Sequence, residues 1–227
     1  MLQILGLPFS AHTRKVIVAA LEKSLGYELV PAFPLTPPPG WRDLSPLGLI
    51  PVLRDDHCTL ADSSVICQYL ERRHAPPRLY PENPAQFAHA LWIEEYVDSG
   101  LAPHVLHGLL LQRVFAPRFL QQPTDEALVR KSLTEMIPPR FAYLEASLQG
   151  DWFAGDAFSI ADVTVASILI NYHYAGEQVD MHSHPKLHRF LRRALARASF
   201  STALEREAPA AADVGGLDLR LLRELGH

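Results

Sequence analysis

Apolar positions in the first eighty residues alternate between short unbroken runs and helical spacing. Leu2, Ile4 and Leu5 form a short strand candidate that ends in the turn residues Gly6 and Pro8. From Ala11 to Ser24, Val16, Ala19 and Ala20 fall on one helical face, and Gly26 supplies the stop. Tyr27 to Phe33 reads as a second strand. Residues 31–51 then hold 7 of the 19 prolines, which excludes a long regular helix there. Pro51 to Arg54 and Cys58 to Leu60 read as strands joined at Asp55-Asp56, too tightly for a parallel crossover. Ser63 to Arg73 is helical again, with Val65, Ile66, Tyr69 and Leu70 on one face. The order β-α-β-irregular-β-β-α predicts a mixed sheet ending in a hairpin.

Past a proline-rich linker at residues 76–84, strand signals give way to long helical patterns. Asn83-Pro84 and Thr124-Asp125-Glu126 are helix starts. Pro138-Pro139 is expected to kink or split the helix that holds it. The chain therefore divides into an α/β unit over residues 1–75, the linker, an all-α unit over 85–206 and a tail over 207–227. Leu217, Leu219, Leu221, Leu222 and Leu225 predict a short helix in that tail, packed over a pocket or onto a partner subunit.

Composition narrows the function classes. The 227 residues are 48% hydrophobic and 20% charged, an ordinary globular balance. A net charge of -4 argues against a nucleic-acid partner, and the basic helix holding Lys186, Arg189, Arg192 and Arg193 reads as a solvated face. No apolar run approaches the ~20 residues of a membrane span, and no secretory leader pattern opens the chain. Cys58 and Cys67 lack metal-ligand spacing and read as reduced thiols of a cytoplasmic protein. His104 and His107 lack a third ligand, so no metal is expected.

Four segments carry candidate chemistry. Leu5-Gly6-Leu7-Pro8-Phe9-Ser10-Ala11-His12 places a hydroxyl where a strand turns into a helix N-terminus. A hydroxyl donor and a helix N-terminus together stabilise a thiolate. Serine also caps helices well, so spacing alone leaves both roles open for Ser10. Ser45-Pro46-Leu47-Gly48-Leu49-Ile50-Pro51-Val52-Leu53 leads into the third strand, where Pro51 either starts an edge strand or turns the backbone outward. Asp62-Ser63 opens the next helix, as a cap or as an anion site. In Trp152-Phe153-Ala154-Gly155-Asp156-Ala157-Phe158-Ser159-Ile160-Ala161-Asp162-Val163, Ser159 and Asp162 stand at capping-box spacing, and Phe158 and Val163 fit a hydrophobic staple.

In order and spacing these segments resemble the glutathione transferase superfamily, over nearly the whole chain to about residue 205. The resemblance implies a thioredoxin-like N-terminal domain followed by a C-terminal helical bundle, glutathione as substrate, and a detoxifying transfer to small apolar electrophiles. It puts Ser10 at the sulfur as in serine-type members and makes the bond before Pro51 cis. It gives the backbone of Val52 to the cysteinyl unit, Ser63 to the γ-glutamyl carboxylate and Asp62 to the γ-glutamyl ammonium. Leu49 stands where the family usually has the lysine for the glycyl carboxylate, with Trp41 and Arg42 nearby to compensate. His12, Tyr96, His104, Phe115 and Tyr172 are the second-substrate candidates, and a homodimer is expected. A glutathione-dependent peroxidase, isomerase or dehalogenase, or a non-catalytic binding module, would share the fold.

Overall fold

A computed structural model describes residues 1–74 and 76–226. Strands β1 (Leu2–Gly6), β2 (Tyr27–Pro31), β3 (Val52–Arg54) and β4 (Thr59–Ala61) form one sheet in the order β2-β1-β3-β4. β1 runs parallel to β2 across helix α1 (Ala11–Glu22), with Ile4 opposite Leu29. β3 is antiparallel to both β1 and β4, so the sheet is mixed and ends in the expected hairpin. A one-turn helix α2 (Trp41–Leu44) breaks the proline-rich stretch, and α3 (Ser63–Arg73) follows β4.

The helical unit begins with α4 (Pro84–Glu95), capped by Asn83. The same rod continues through a wide π-type stretch (Tyr96–Leu101), α5 (Ala102–Val105) and a second π-type stretch (Leu106–Leu120). Next come α6 (Glu126–Lys131), a π-type stretch (Ser132–Met136) and α7 (Ile137–Ser147). Pro138 and Pro139 stand where the π-type stretch passes without interruption into α7, so the helical path is widened just before them and not split. Helices α8 (Ile160–Tyr174), α9 (Pro185–Leu195), α10 (Ala198–Val214) and α11 (Arg220–Glu224) complete the fold. Among the described residues no helix is long and apolar enough to cross a membrane.

Helix α8 is buried on nearly every face and forms the axis of the bundle. Its start is fixed by Asp162, which accepts from Ser159 N at 2.8 Å, Ser159 Oγ at 2.9 Å and Phe153 N at 2.8 Å. Helix α1 is shared between the two units, with Ala11 and Thr13 to Ala20 all buried. It packs on β1 and α3 on one side and on α8 and α10 on the other.

The C-terminal segment differs from the expected tail. Helix α10 runs unbroken through residue 207, and Glu207 is fully buried. Leu217, Leu221 and Leu222 are buried within the chain's own core, and Asp218 N donates to Tyr174 O. Their apolar faces close the end of α8 rather than a pocket.

Candidate active site

The site forms where β1 turns into α1. Gly6 is required there, because a Cβ would stand 2.5 Å from Thr13 Oγ1. Ser10 is the N-cap of α1, with its N–H donated to Leu7 O at 3.0 Å. Its hydroxyl makes no cap hydrogen bond, so among the described residues it is free at the positive end of the helix.

Two buried donors hold the peptide before Ser10. Arg14 Nη2 and Asn171 Nδ2 reach the Phe9 carbonyl at 3.1 and 3.2 Å. Arg14 is wholly buried and forks onto Glu207 with two contacts of 2.8 Å. It also donates to Ser167 O at 2.9 Å and to Asn171 Oδ1 at 2.8 Å. Tyr174 donates its hydroxyl to the same Glu207. The helical unit thus fixes the Phe9–Ser10 peptide directly.

The loop before β3 corrects one expectation. Ile50-Pro51 is cis, but Val52 does not offer its backbone to a ligand. Val52 is fully buried inside the sheet, opposite Leu5 on β1 and Ala61 on β4. Its N–H and C=O lie within the ladder. Two residues earlier, Ile50 has no hydrogen-bond partner for either main-chain group among the described residues. Ser45 Oγ holds Leu49 O at 2.8 Å, and Arg42 Nη1 holds Pro46 O at 2.8 Å. Gly48 has φ +75°, and a Cβ there would stand 2.9 Å from Arg42 Cζ, so the guanidinium lies flat against this loop. Trp41 Nε1 is buried without a partner among the described residues.

At the start of α3, Asp62 is the cap. Its Oδ1 accepts from Ser64 N and Val65 N at 2.9 and 3.0 Å, at a φ of +108° that ordinary side chains avoid. Ser63, the next residue, is spared that task and has no hydroxyl partner among the described residues.

A charged cluster joins this helix start to the helical unit. Lys15 Nζ lies 2.8 Å from Glu94 Oε1, 2.7 Å from Asp98 Oδ2 and 2.8 Å from Ser64 Oγ. Burial opposes its charge, but Asp98 and Glu94 outweigh burial and hold its pKa above the ordinary lysine value. Asp98 Oδ1 faces His12 Nδ1 at 3.6 Å. Burial lowers the His12 pKa, against the opposing pull of Asp98.

An aromatic wall covers the turn. Phe9 stacks on Phe115 at 6.4 Å, and Phe33 meets Phe115 at 6.1 Å and Phe119 at 5.0 Å. Of the five second-substrate candidates, His12 and Phe115 lie here. Tyr96 instead packs on Trp92 and Tyr143, at 5.9 and 4.4 Å, between α4 and α7. Tyr172 is a core residue, 8% exposed, edge-on to Phe141 at 5.1 Å. His104 looks toward Arg140 and Lys131; burial first and then these cations lower its pKa. His107 lies near His12.

Arg14, Asp98, Ile50, Phe33 and Phe119 escaped sequence reasoning as site residues. The one available signal was the pair Arg14-Lys15 inside a helix that is otherwise buried, since charges in such positions need partners.

Comparison with known proteins agrees with the fold. The family model described as "Glutathione S-transferase, N-terminal domain" matches residues 4–78, and the one described as "Glutathione S-transferase, C-terminal domain" matches residues 130–193. Glutathione S-transferase GstB of Escherichia coli (strain K12) is 29% identical over 182 residues, covering 78% of this chain and 85% of the relative. Maleylacetoacetate isomerase of Rattus norvegicus is 28% identical over 203 residues, covering 86% and 88%. The crystal structure of a glutathione S-transferase from Rhodospirillum rubrum F11 superposes with a TM-score of 0.82 at 27% identity, covering 90% of this chain and 92% of that one.

Proposed function

The chain belongs to the glutathione transferase superfamily, and on that premise we propose that it joins the glutathione thiolate to small apolar electrophiles. The observation that carries this reading is the Ser10 hydroxyl, unpartnered among the described residues at the N-terminus of α1. A free thiol with a pKa near 8.5 is only about 3% ionised at pH 7. A lowering of about two units raises that to roughly three-quarters, for about 2.7 kcal/mol. One hydrogen bond from Ser10 and the α1 dipole are of the right size to supply it.

The other unpartnered groups fit the rest of the tripeptide. Ile50, in place of Val52, offers an N–H and a C=O to the cysteinyl unit as an added strand would. Ser63 meets the γ-glutamyl carboxylate at the α3 N-terminus, and the free oxygen of Asp62 meets the ammonium. Arg42, beside the loop before Ile50, replaces the missing lysine for the glycyl carboxylate. Phe33, Phe115 and Phe119 receive the electrophile. No metal enters this scheme. The name of the rat relative supports a second reading, glutathione-dependent isomerisation at the same site.

The test is turnover of an activated aryl halide with glutathione, together with calorimetry at millimolar glutathione. No heat of binding and no turnover would remove the reading. We also place the work in a homodimer in the cytoplasm. Val65 and Trp92, 49% and 50% exposed, are the apolar groups that a second copy would cover. Light scattering at micromolar concentration should give twice the 25.3 kDa of one chain; a single-chain mass would defeat the dimer.

A further inference from the structure

We infer that His12 accepts the proton of the glutathione thiol, with Asp98 as the residue that positions it and balances its charge. The inference rests on the glutathione reading above and adds a step that reading leaves open. Ser10 donates a hydrogen bond to sulfur, but a hydroxyl that keeps its own proton cannot also take the one the thiol loses. Some other group must take it, or it must pass to solvent.

The groups around the α1 N-terminus narrow the choice. Asp62, at the start of α3, spends one oxygen capping that helix, and the glutathione reading gives the other to the γ-glutamyl ammonium. Lys15, on α1, is already protonated and paired. His107 lies near His12 but on another element, the second π-type stretch. His12 is in the first turn of α1, two residues beyond Ser10, with a side chain 27% exposed. Its side chain is thus partly open to solvent. Before glutathione binds, its imidazole is in the neutral, proton-accepting form near pH 7, because burial lowers its pKa; a thiolate on one side and Asp98 on the other then favour the protonated form.

Asp98 is built for the other half of the task. One carboxylate oxygen is fixed by Lys15 and Ser64. The other, Oδ1, is buried without a hydrogen-bond partner among the described residues and faces His12 Nδ1 at 3.6 Å. A buried carboxylate oxygen without a partner is costly unless a cation or donor meets it. Imidazolium at His12 supplies both. With Nδ1 turned to Asp98, Nε2 is the acceptor. The S–H bond breaks, its electron pair stays on sulfur, and the proton bonds to Nε2. Thiolate and imidazolium form together, with no change in net charge.

Proton counting tests this directly. Saturating glutathione is mixed with the protein near pH 7 in weak buffer containing an indicator dye. Thiolate is read by its ultraviolet absorbance, and released protons by the dye. The expected result is a thiolate band with far less than one proton released per thiolate formed. His12→Gln should release about one proton per thiolate, and its bound thiol should ionise about one unit higher in pH. One proton released per thiolate by the unaltered protein would overturn the inference, whether or not the variant folds. Binding by calorimetry without any thiolate band would also overturn it while leaving glutathione binding intact. No binding at all would instead remove the reading on which it rests.

Discussion

Replacing Arg14 with Met should destabilise the fold by about 3–5 kcal/mol, the cost of leaving a buried charge without its partner. Arg14 and Glu207 are both fully buried, and the variant would strand the Glu207 carboxylate with only the Tyr174 hydroxyl. Natural domains have about 5–15 kcal/mol in total, so the loss should appear as a large drop in the urea midpoint. The double variant Arg14→Met with Glu207→Met removes both charges. An apolar pair of similar volume is often near neutral in place of an ion pair. What remains is the loss of donors to Ser167 O, Asn171 Oδ1 and Phe9 O and of the acceptor for the Tyr174 hydroxyl, about 1–3 kcal/mol for each group left unpaired. The double variant should therefore be more stable than the single one. Urea unfolding followed by circular dichroism, with unchanged slopes, measures both. A single variant within about 1 kcal/mol of the parent, or a double variant less stable than it, would refute the reasoning.

Ser10→Ala should raise the bound thiol's pKa by about one unit, or 1.4 kcal/mol, with little change in glutathione affinity; identical ultraviolet titrations would reduce Ser10 to a structural residue. Ser63→Ala should weaken glutathione binding by about 1.5–3 kcal/mol, a hydrogen bond to a charged group. It should hardly touch stability, because Asp62 caps α3; equal affinities by calorimetry would exclude the contact. Burial lowers the His173 pKa to about 4, below the ~6.5 of an unfolded chain. The unfolded state then binds more protons, so stability should fall as pH drops from about 6.5 to 4. His173→Gln should flatten that slope in a series of thermal melts, and an unchanged slope would assign the loss to other groups.

The element order was legible because each element carries a local signal. Helix α1 has its apolar spacing, α4 has Asn83-Pro84, and α8 has Ser159 and Asp162 at capping distance. Residues 207–214 read as the start of a tail because Pro209 and a run of alanines give no amphipathic stripe. The buried ion pair between Arg14 and Glu207, 193 positions apart, holds α10 in place there, and no local pattern reports such a partner. The same limit explains the site. Ser10, Asp62 and Ser63 sit at helix starts, where position implies exposed donors. His104 and His107 look equivalent in sequence, yet His104 lies near Arg140 and Lys131 while His107 lies near His12. Val52 and Ile50 flank the same proline; which one keeps a free backbone is decided by where the ladder with β1 and β4 begins.

The two units meet through charges rather than through apolar surface alone, and this bears on how the sulfur site is held. A purely apolar interface would tolerate small sliding, because dispersion contacts are weakly directional. The forked contact of Arg14 with Glu207, and the Lys15 cluster with Glu94 and Asp98, fix distance and angle at two points of one helix. Arg14 ties the first turn of α1 to α8 and α10, while Lys15 ties it to α4 and the turns that follow. Those two anchors lie four and five residues past Ser10. They leave the first turn of α1 little freedom to shift relative to the aromatic wall. Such pairs are expensive to bury, and an apolar replacement would often be as stable. On the proposed reading, their place in the core is therefore better explained by placement of the hydroxyl and of His12 than by stability.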